Sequence, residues 1–189
     1  MFQRAGYYGR AAAGVPDAVP DGAATADPAQ WVITGLTRTV GGAELNPPLV
    51  TLTENTSNSE HRIYWNTSGG TMGPNFRARY YFRAGTRRYV QFINSLGGGV
   101  IYAGVSVDTQ ATPMVIVNSG TAGAATLTSS TLTDLGNGDW LLELIHNQSA
   151  TYNFCAVHGA LTAGAPTFNG PYLGTGFTIL LRRVDFATV

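Results

Sequence analysis

The sequence predicts an all-β fold, an antiparallel two-sheet β-sandwich of the jelly-roll kind preceded by an extended N-terminal arm, and three observations carry that expectation. From Trp31 onward the chain falls into short runs rich in Val, Ile, Thr, Tyr and Phe, residues that fit a pleated, half-buried surface. Clusters of Gly, Asn, Pro and Asp separate the runs and supply the backbone conformations of tight turns. None of the runs sustains a 3.6-residue period, which leaves no crossover helices, so the strands have to pair antiparallel around one core. No repeat of fixed period is present, which excludes propellers and solenoids.

Taken in order, the candidate strands are "WVITGLTRTV", "LVTLTEN", "HRIYWNT", "FRARYYFRA", "RYVQFINS", "VIYAGVSVDT", "PMVIVNS", "STLTDLG", "DWLLELIHN", "YNFCAVHG" and "GFTILLRRVDF". Residues 31–189 are assigned to this one domain, since a chain of 189 residues supports a single substantial core and little beyond it. Residues 1–30 form the arm. Alanine, glycine, Pro16, Pro20 and Pro28 give it no periodicity, and a segment of that kind has no core to offset its ordering entropy. Phe2, Arg4, Tyr7, Tyr8 and Arg10 are unusual in a linker and belong to the types enriched at interface anchors. The arm is therefore expected to anchor the domain to a partner surface, with a frayed terminus as the plain alternative.

Charge narrows the function. The 11 basic and 11 acidic residues cancel, and every basic residue is an arginine. A balanced chain lacks the broad positive field of non-specific nucleic-acid binding, so nucleic acid is excluded as a partner. Charged residues make up only 12% of the sequence, and a surface of hydroxyls and amides suits an extracellular or virion β-protein. No run reaches the roughly 18 apolar residues of a membrane span, and "MFQRAGYYGRAAAG" lacks the apolar middle of a signal peptide. Membrane insertion and Sec export are not expected. Cys155 is the single cysteine, which rules out an intrachain disulfide and points to a buried, inert thiol.

The densest local signal is "RARYYFRAGTRRYVQF", residues 77–92, with five arginines and five aromatics. Strand alternation puts Phe76, Ala78, Tyr80 and Phe82 on one face and Arg77, Arg79, Tyr81 and Arg83 on the other. Read as a hairpin turning at "AGT", the second strand adds Tyr89 and Gln91 to the polar face and Val90 and Phe92 to the core. Glu143, on the opposite side of its strand from Leu142 and Leu144, is placed to neutralise one of these arginines across strands.

The ordered series Trp31, "LTENTSNSEHRIY", "RYYFRAGTRRYVQF", a strand ending at Asp108, "LGNGDWLLELI" and "YLGTGFTILLRRVDF" resembles the carbohydrate-binding-module-like jelly-roll domains of bacteriophage tail fibres, tailspikes and other virion proteins. The likeness covers about residues 31–186. Here the family's "GNGW" signature is interrupted as "GNGDW", and Leu142 stands where an arginine usually follows the tryptophan. The resemblance implies a protein displayed on the virion surface, made in the host cytoplasm, that decorates a head or tail and contacts host-surface glycans. Its partners would be other virion proteins, reached through the arm, and further copies of itself, a trimer among the options. A free secreted lectin and a tail-associated polysaccharide-degrading enzyme are the alternatives.

"GNG" at 136–138 calls for positive φ and reads as a hairpin turn into Trp140. His61, His146 and His158 sit on separate strands, and neither G-x-S-x-G nor H-E-x-x-H occurs, so no catalytic residue is assigned and a non-enzymatic protein is expected. Glu44, Glu54, Asp108 and Asp185 form no recognisable ion-binding loop, and neither a metal nor a cofactor is assigned. Sugar recognition needs flat rings and planar polar groups. The residues of those types that the strand pattern offers for a glycan or subunit contact are Arg77, Arg79, Tyr81, Arg83, Tyr89, Gln91, Trp65 and His146, with Tyr64 beside them. Simple coverage of the sheet, with arginines paired to Glu143, is the competing use.

Overall fold

The computed structural model describes residues 31–41, 49–66, 75–96, 101–147, 154–166 and 171–188. The arm with its expected anchors Phe2, Arg4, Tyr7, Tyr8 and Arg10 lies outside the described residues, as does Glu44. No helix occurs among the described residues. The strands are β1 (Trp31–Thr34), β2 (Leu36–Val40), β3 (Val50–Glu54), β4 (Asn58–Ser59), β5 (Arg62–Asn66), β6 (Asn75–Arg83), β7 (Tyr89–Leu96), β8 (Ile101–Asp108), β9 (Val115–Ala122), β10 (Leu127–Gly136), β11 (Asp139–Asn147), β12 (Phe154–Ala160), β13 (Tyr172–Leu173) and β14 (Thr178–Thr188).

Two six-stranded sheets face each other, ordered β1-β5-β12-β7-β8-β9 and β10-β11-β6-β14-β3-β2, with β13 and β4 as a small ribbon at one end. Every pairing is antiparallel. The expected two-sheet sandwich is what forms, and each of the candidate runs contains a strand.

"WVITGLTRTV" holds two strands, because Gly35 at φ 65° turns the chain out of the first sheet and into the second. A Cβ there would run into the Glu60 carbonyl oxygen and Ser59 Oγ, so only glycine fits the crossing. The "GNG" turn is as expected: Gly136, Asn137 and Gly138 have φ of 80°, 57° and 79° and join β10 to β11. Two central residues at positive φ match the right-handed twist of the strands they connect.

The core lies between the sheets. Leu52, Phe76, Tyr80, Phe82, Leu142, Leu144 and Leu181 meet Ile63, Phe92, Val105 and Val157 from the opposite side. Trp31 belongs to it, and Trp140 packs partly buried against it. Cys155 is fully buried, and burial pushes its thiol well above the ordinary thiol range.

One expectation about the strands is corrected. The stretch 77–92 is not a hairpin, since β6 belongs to the second sheet and β7 to the first. Both strands alternate as anticipated, but their apolar faces meet across the sandwich: the Phe92 ring lies 5.0 Å from that of Tyr80 and 4.8 Å from that of Phe82. In this arrangement the rings of the two strands interdigitate across the core between the sheets.

Candidate functional site

The outer face of the second sheet is built from β11, β6 and β14. Register fixes who stands beside whom. Asp139, Leu141, Glu143 and Ile145 flank Arg83, Tyr81, Arg79 and Arg77 on one side, and Leu180, Arg183 and Asp185 flank Arg83, Tyr81 and Arg79 on the other. Arg79 Nε donates to Glu143 Oε2 at 2.7 Å, and Arg77 Nε lies 3.6 Å from the same oxygen. Arg83 grips Asp139 with Nε to Oδ1 at 2.8 Å and Nη2 to Oδ2 at 3.0 Å. Arg182, which the bulge in β14 leaves almost fully buried, donates to the same Oδ1 at 2.9 Å. Arg183 pairs with Asp185.

Asp139 feels burial, which favours the neutral acid, but hydrogen bonds and charge from Arg83 and Arg182 outweigh it and hold the carboxyl below its ordinary range. The face is thus an array of planar cations in which Arg79, Arg83 and Arg183 are each held by a carboxylate and Arg77 stands 3.6 Å from the acid that Arg79 takes. Hydroxyls surround it: Thr131 and Thr133 on β10 stand beside Glu143 and Leu141, and Thr51 on β3 beside Leu180.

Arg77, Arg79 and Arg83 stand together on this face as the alternation implies, with side chains 24%, 28% and 29% accessible. The other assigned residues are placed differently. Tyr81 shares the face but is buried at 5% accessibility, between Leu141 and Arg183. Tyr89 and Gln91 lie on the other sheet, a consequence of the crossing between β6 and β7. The Arg88 guanidinium stands 5.0 Å from the Tyr89 ring centre. Gln91 is buried because residues 161–166 run across the outer face of the first sheet. Gln91 Nε2, Ser106 Oγ and Asn118 Nδ2 donate to the successive carbonyls of Ala165, Gly164 and Ala163 at 3.4, 2.6 and 3.3 Å.

Trp65 and His146 are core residues. Trp65 points inward with Ile63, while Tyr64 points out under the Arg62 guanidinium. His146 shares the inward face of β11 with Leu142 and Leu144, stacks on Phe76 at 4.5 Å and meets Asn94 Nδ2 at 2.8 Å through Nε2. Asn94 Oδ1 in turn accepts from Tyr80 Oη at 2.6 Å. Alternation alone places both residues inside, so their assignment to the ligand face is corrected.

A second constellation was not singled out from sequence. Glu54, at the end of β3, is gripped by Arg87, with Nε to Oε1 at 2.6 Å and Nη2 on Oε2, and it also accepts from Tyr172 Oη at 2.8 Å and Thr175 N at 3.2 Å. Arg87 lies 5.3 Å from the Tyr172 ring centre and 4.6 Å from that of Phe177. His61 packs on Tyr172 at 4.4 Å. Burial pulls the Glu54 carboxyl upward, but its hydrogen bonds, that from Arg87 foremost, outweigh this and hold it below the ordinary range. The signal was present: "LTEN", "HRIY", "AGTRR" and "YLGTGF" are the very segments that carried the family resemblance, and they converge here.

Among the described residues no group of three His, Cys, Asp or Glu side chains comes together as a metal site. Glu54, Asp108 and Asp185 are each paired with an arginine instead.

The fold and its polar face define an all-β sandwich protein with an arginine-rich sheet surface. No family model matches the chain, and no curated protein does. A solved structure of the conserved carbohydrate esterase of Shiga toxin-encoding bacteriophage phi24B is similar in fold, with 14% identity over 93% of this chain and 99% of that one and a TM-score of 0.46. The two share a β-rich fold, and the particular jelly-roll family read from sequence is not shown by this likeness. The expectation of a non-enzymatic protein is corrected on the same finding, because the similar protein is an esterase.

Proposed function

We propose that this chain is a bacteriophage protein directed at carbohydrate, and that it meets its glycan on the outer face of β11, β6 and β14. The observation that carries the reading is the arginine row, in which Arg79 and Arg83 are fixed by hydrogen bonds to Glu143 and Asp139. Guanidinium planes held in place lose little freedom when they donate to sugar hydroxyls, and so suit a neutral or charged glycan better than mobile lysines do. The surrounding threonines add donors and acceptors, and the half-buried Leu141 and Ile145 offer C–H surface. In this reading residues 1–30 attach the domain to the particle, and several copies act together, since weak sugar sites gain avidity when multiplied.

A glycan array probed with the full chain, alongside Arg79→Gln and Arg83→Gln, tests the reading. Each carboxylate keeps a second arginine in these variants, Arg77 on Glu143 and Arg182 on Asp139, so folding should survive while glycan retention falls. Acetate release from O-acetylated glycans, measured on the same samples, reports whether a reaction accompanies binding. Retention unchanged in both variants overturns the assignment of this face.

A further inference from the structure

We infer that the glycan recognised on this face carries carboxylates, as in uronic or sialic acids, and that Arg77 and Arg79 form its anion subsite; the inference rests on the glycan reading just given. Two guanidinium groups share one acid there. Arg79 Nε takes Glu143 Oε2 at 2.7 Å, whereas Arg77 stands off at 3.6 Å. Arg77 Nε is shielded from water and makes no hydrogen bond. Its own acid therefore satisfies Arg77 only weakly, and the side chain, 24% accessible, presents the rest of its guanidinium to an incoming group. The remaining acid beside Arg79 is Asp185, opposite it on β14, and Asp185 is held by Arg183.

The local account is therefore three arginines against two carboxylates. Beside Arg77 the register places Ile145 and Ala187, so among the described residues no acid stands next to it on either neighbouring strand. An incoming carboxylate would complete the set. A planar fork of donors matches a carboxylate in two-point contact, and charge-assisted bonds of that kind are among the stronger ones. The side chains of Arg77 and Arg79 are about three-quarters covered, at 24% and 28% accessible, so the attraction is less screened than at a free surface. Nucleic acid is disfavoured as the anion, because the chain has no net charge and no extended basic field beyond this row.

Matched pairs of polymer test the inference: polygalacturonate against its methyl ester, and oligosialic acid against its methyl ester, each titrated into the full chain by calorimetry. The acid form of at least one pair should bind about tenfold or more tightly than its ester, the scale of one charge-assisted contact. Arg77→Gln and Arg79→Gln should each remove most of that preference at unchanged melting temperature, and added salt should weaken the acid form alone. Equal binding of acid and ester, both lost in Arg79→Gln, would leave the glycan reading standing and sink the carboxylate inference. Acid binding that ignores both variants would sink the assignment of the face itself. Binding of a random DNA duplex as strong as that of the acid polymer, and as sensitive to Arg77→Gln, would overturn the inference in favour of a general polyanion site.

Discussion

Arg87 Nε donates to Glu54 Oε1 at 2.6 Å, and the two side chains, 5% and 0% accessible, tie the end of β3 in one sheet to the chain entering β7 in the other. Removing one partner strands a buried charge, which costs about 3–5 kcal/mol. Glu54→Ala and Arg87→Ala are each expected to lose about that much stability in urea denaturation followed by tryptophan fluorescence. The double variant Glu54→Leu/Arg87→Met strands no charge and should recover part of the loss. A double variant less stable than either single one contradicts this account.

Acid should destabilise the fold in two stages. Burial holds the rings of His146 and His158 neutral, with pKa values lowered to about 3. An unfolded histidine takes up its proton near pH 6.5. Between those values the unfolded chain binds protons that the native chain refuses, so stability falls as pH drops, by roughly 1 kcal/mol per pH unit for each ring. Glu54 and Asp139, both held below their ordinary range, contribute stability that is complete above the unfolded carboxylate values and is lost as pH falls through the folded ones. Urea midpoints measured from pH 8 to pH 4 should decline from about pH 6.5 and then more steeply below about pH 4.5. Replacing His158 with Gln should flatten the first stage, and a profile level down to pH 5 would count against it.

Much of the sandwich was legible because a strand announces its faces locally. Phe76, Tyr80 and Phe82 point inward and Arg77, Arg79 and Arg83 outward, as period two requires. Which strand neighbours which was not legible, because nothing within "RARYYFRAGTRRYVQF" distinguishes a hairpin from a crossing between sheets. That choice is made by the rings of Tyr80, Phe82 and Phe92 meeting across the core. The ligand face suffered accordingly: Tyr89 and Gln91 went with β7 to the other sheet, where residues 161–166 cover Gln91. The inward placement of Trp65 and His146 was legible too, since each has the parity of a core neighbour, Ile63 on β5 and Leu144 on β11.

Close backbone approach around Glu54 gives a third expectation. A Cβ on Gly174 would collide with the Asn55 carbonyl oxygen and His61 Nε2, and one on Gly159 with Tyr172 Oη and, at 2.9 Å, Glu54 Oε1. A Cβ on Gly164 would meet only Thr162 Oγ1, at 3.4 Å. Gly174→Ala should therefore cost about 2 kcal/mol or more, within the range of severe overpacking, while Gly164→Ala stays within about 0.5 kcal/mol of the parent. Thermal melts of the two variants side by side decide the point.

The buried thiol offers a direct readout of opening. Cys155 is inaccessible, and burial disfavours its thiolate, so a disulfide-exchange reagent should label native protein only through unfolding. Labelling is expected to be complete within seconds in denaturant and slower by orders of magnitude without it. Rapid labelling of the native protein would mean that the sandwich opens locally at β12.

β14 pairs with β6 on one side and with β3 on the other, Leu181 beside Phe82 and Ile179 beside Leu52. Without β14 the second sheet would divide into two ribbons, β10-β11-β6 and β3-β2, each with a bare edge. Pairings this distant in sequence close slowly, and bare edges invite pairing with other chains in the interval. Docking of β14 is therefore the step that turns two ribbons into one sheet and closes both of these edges at once.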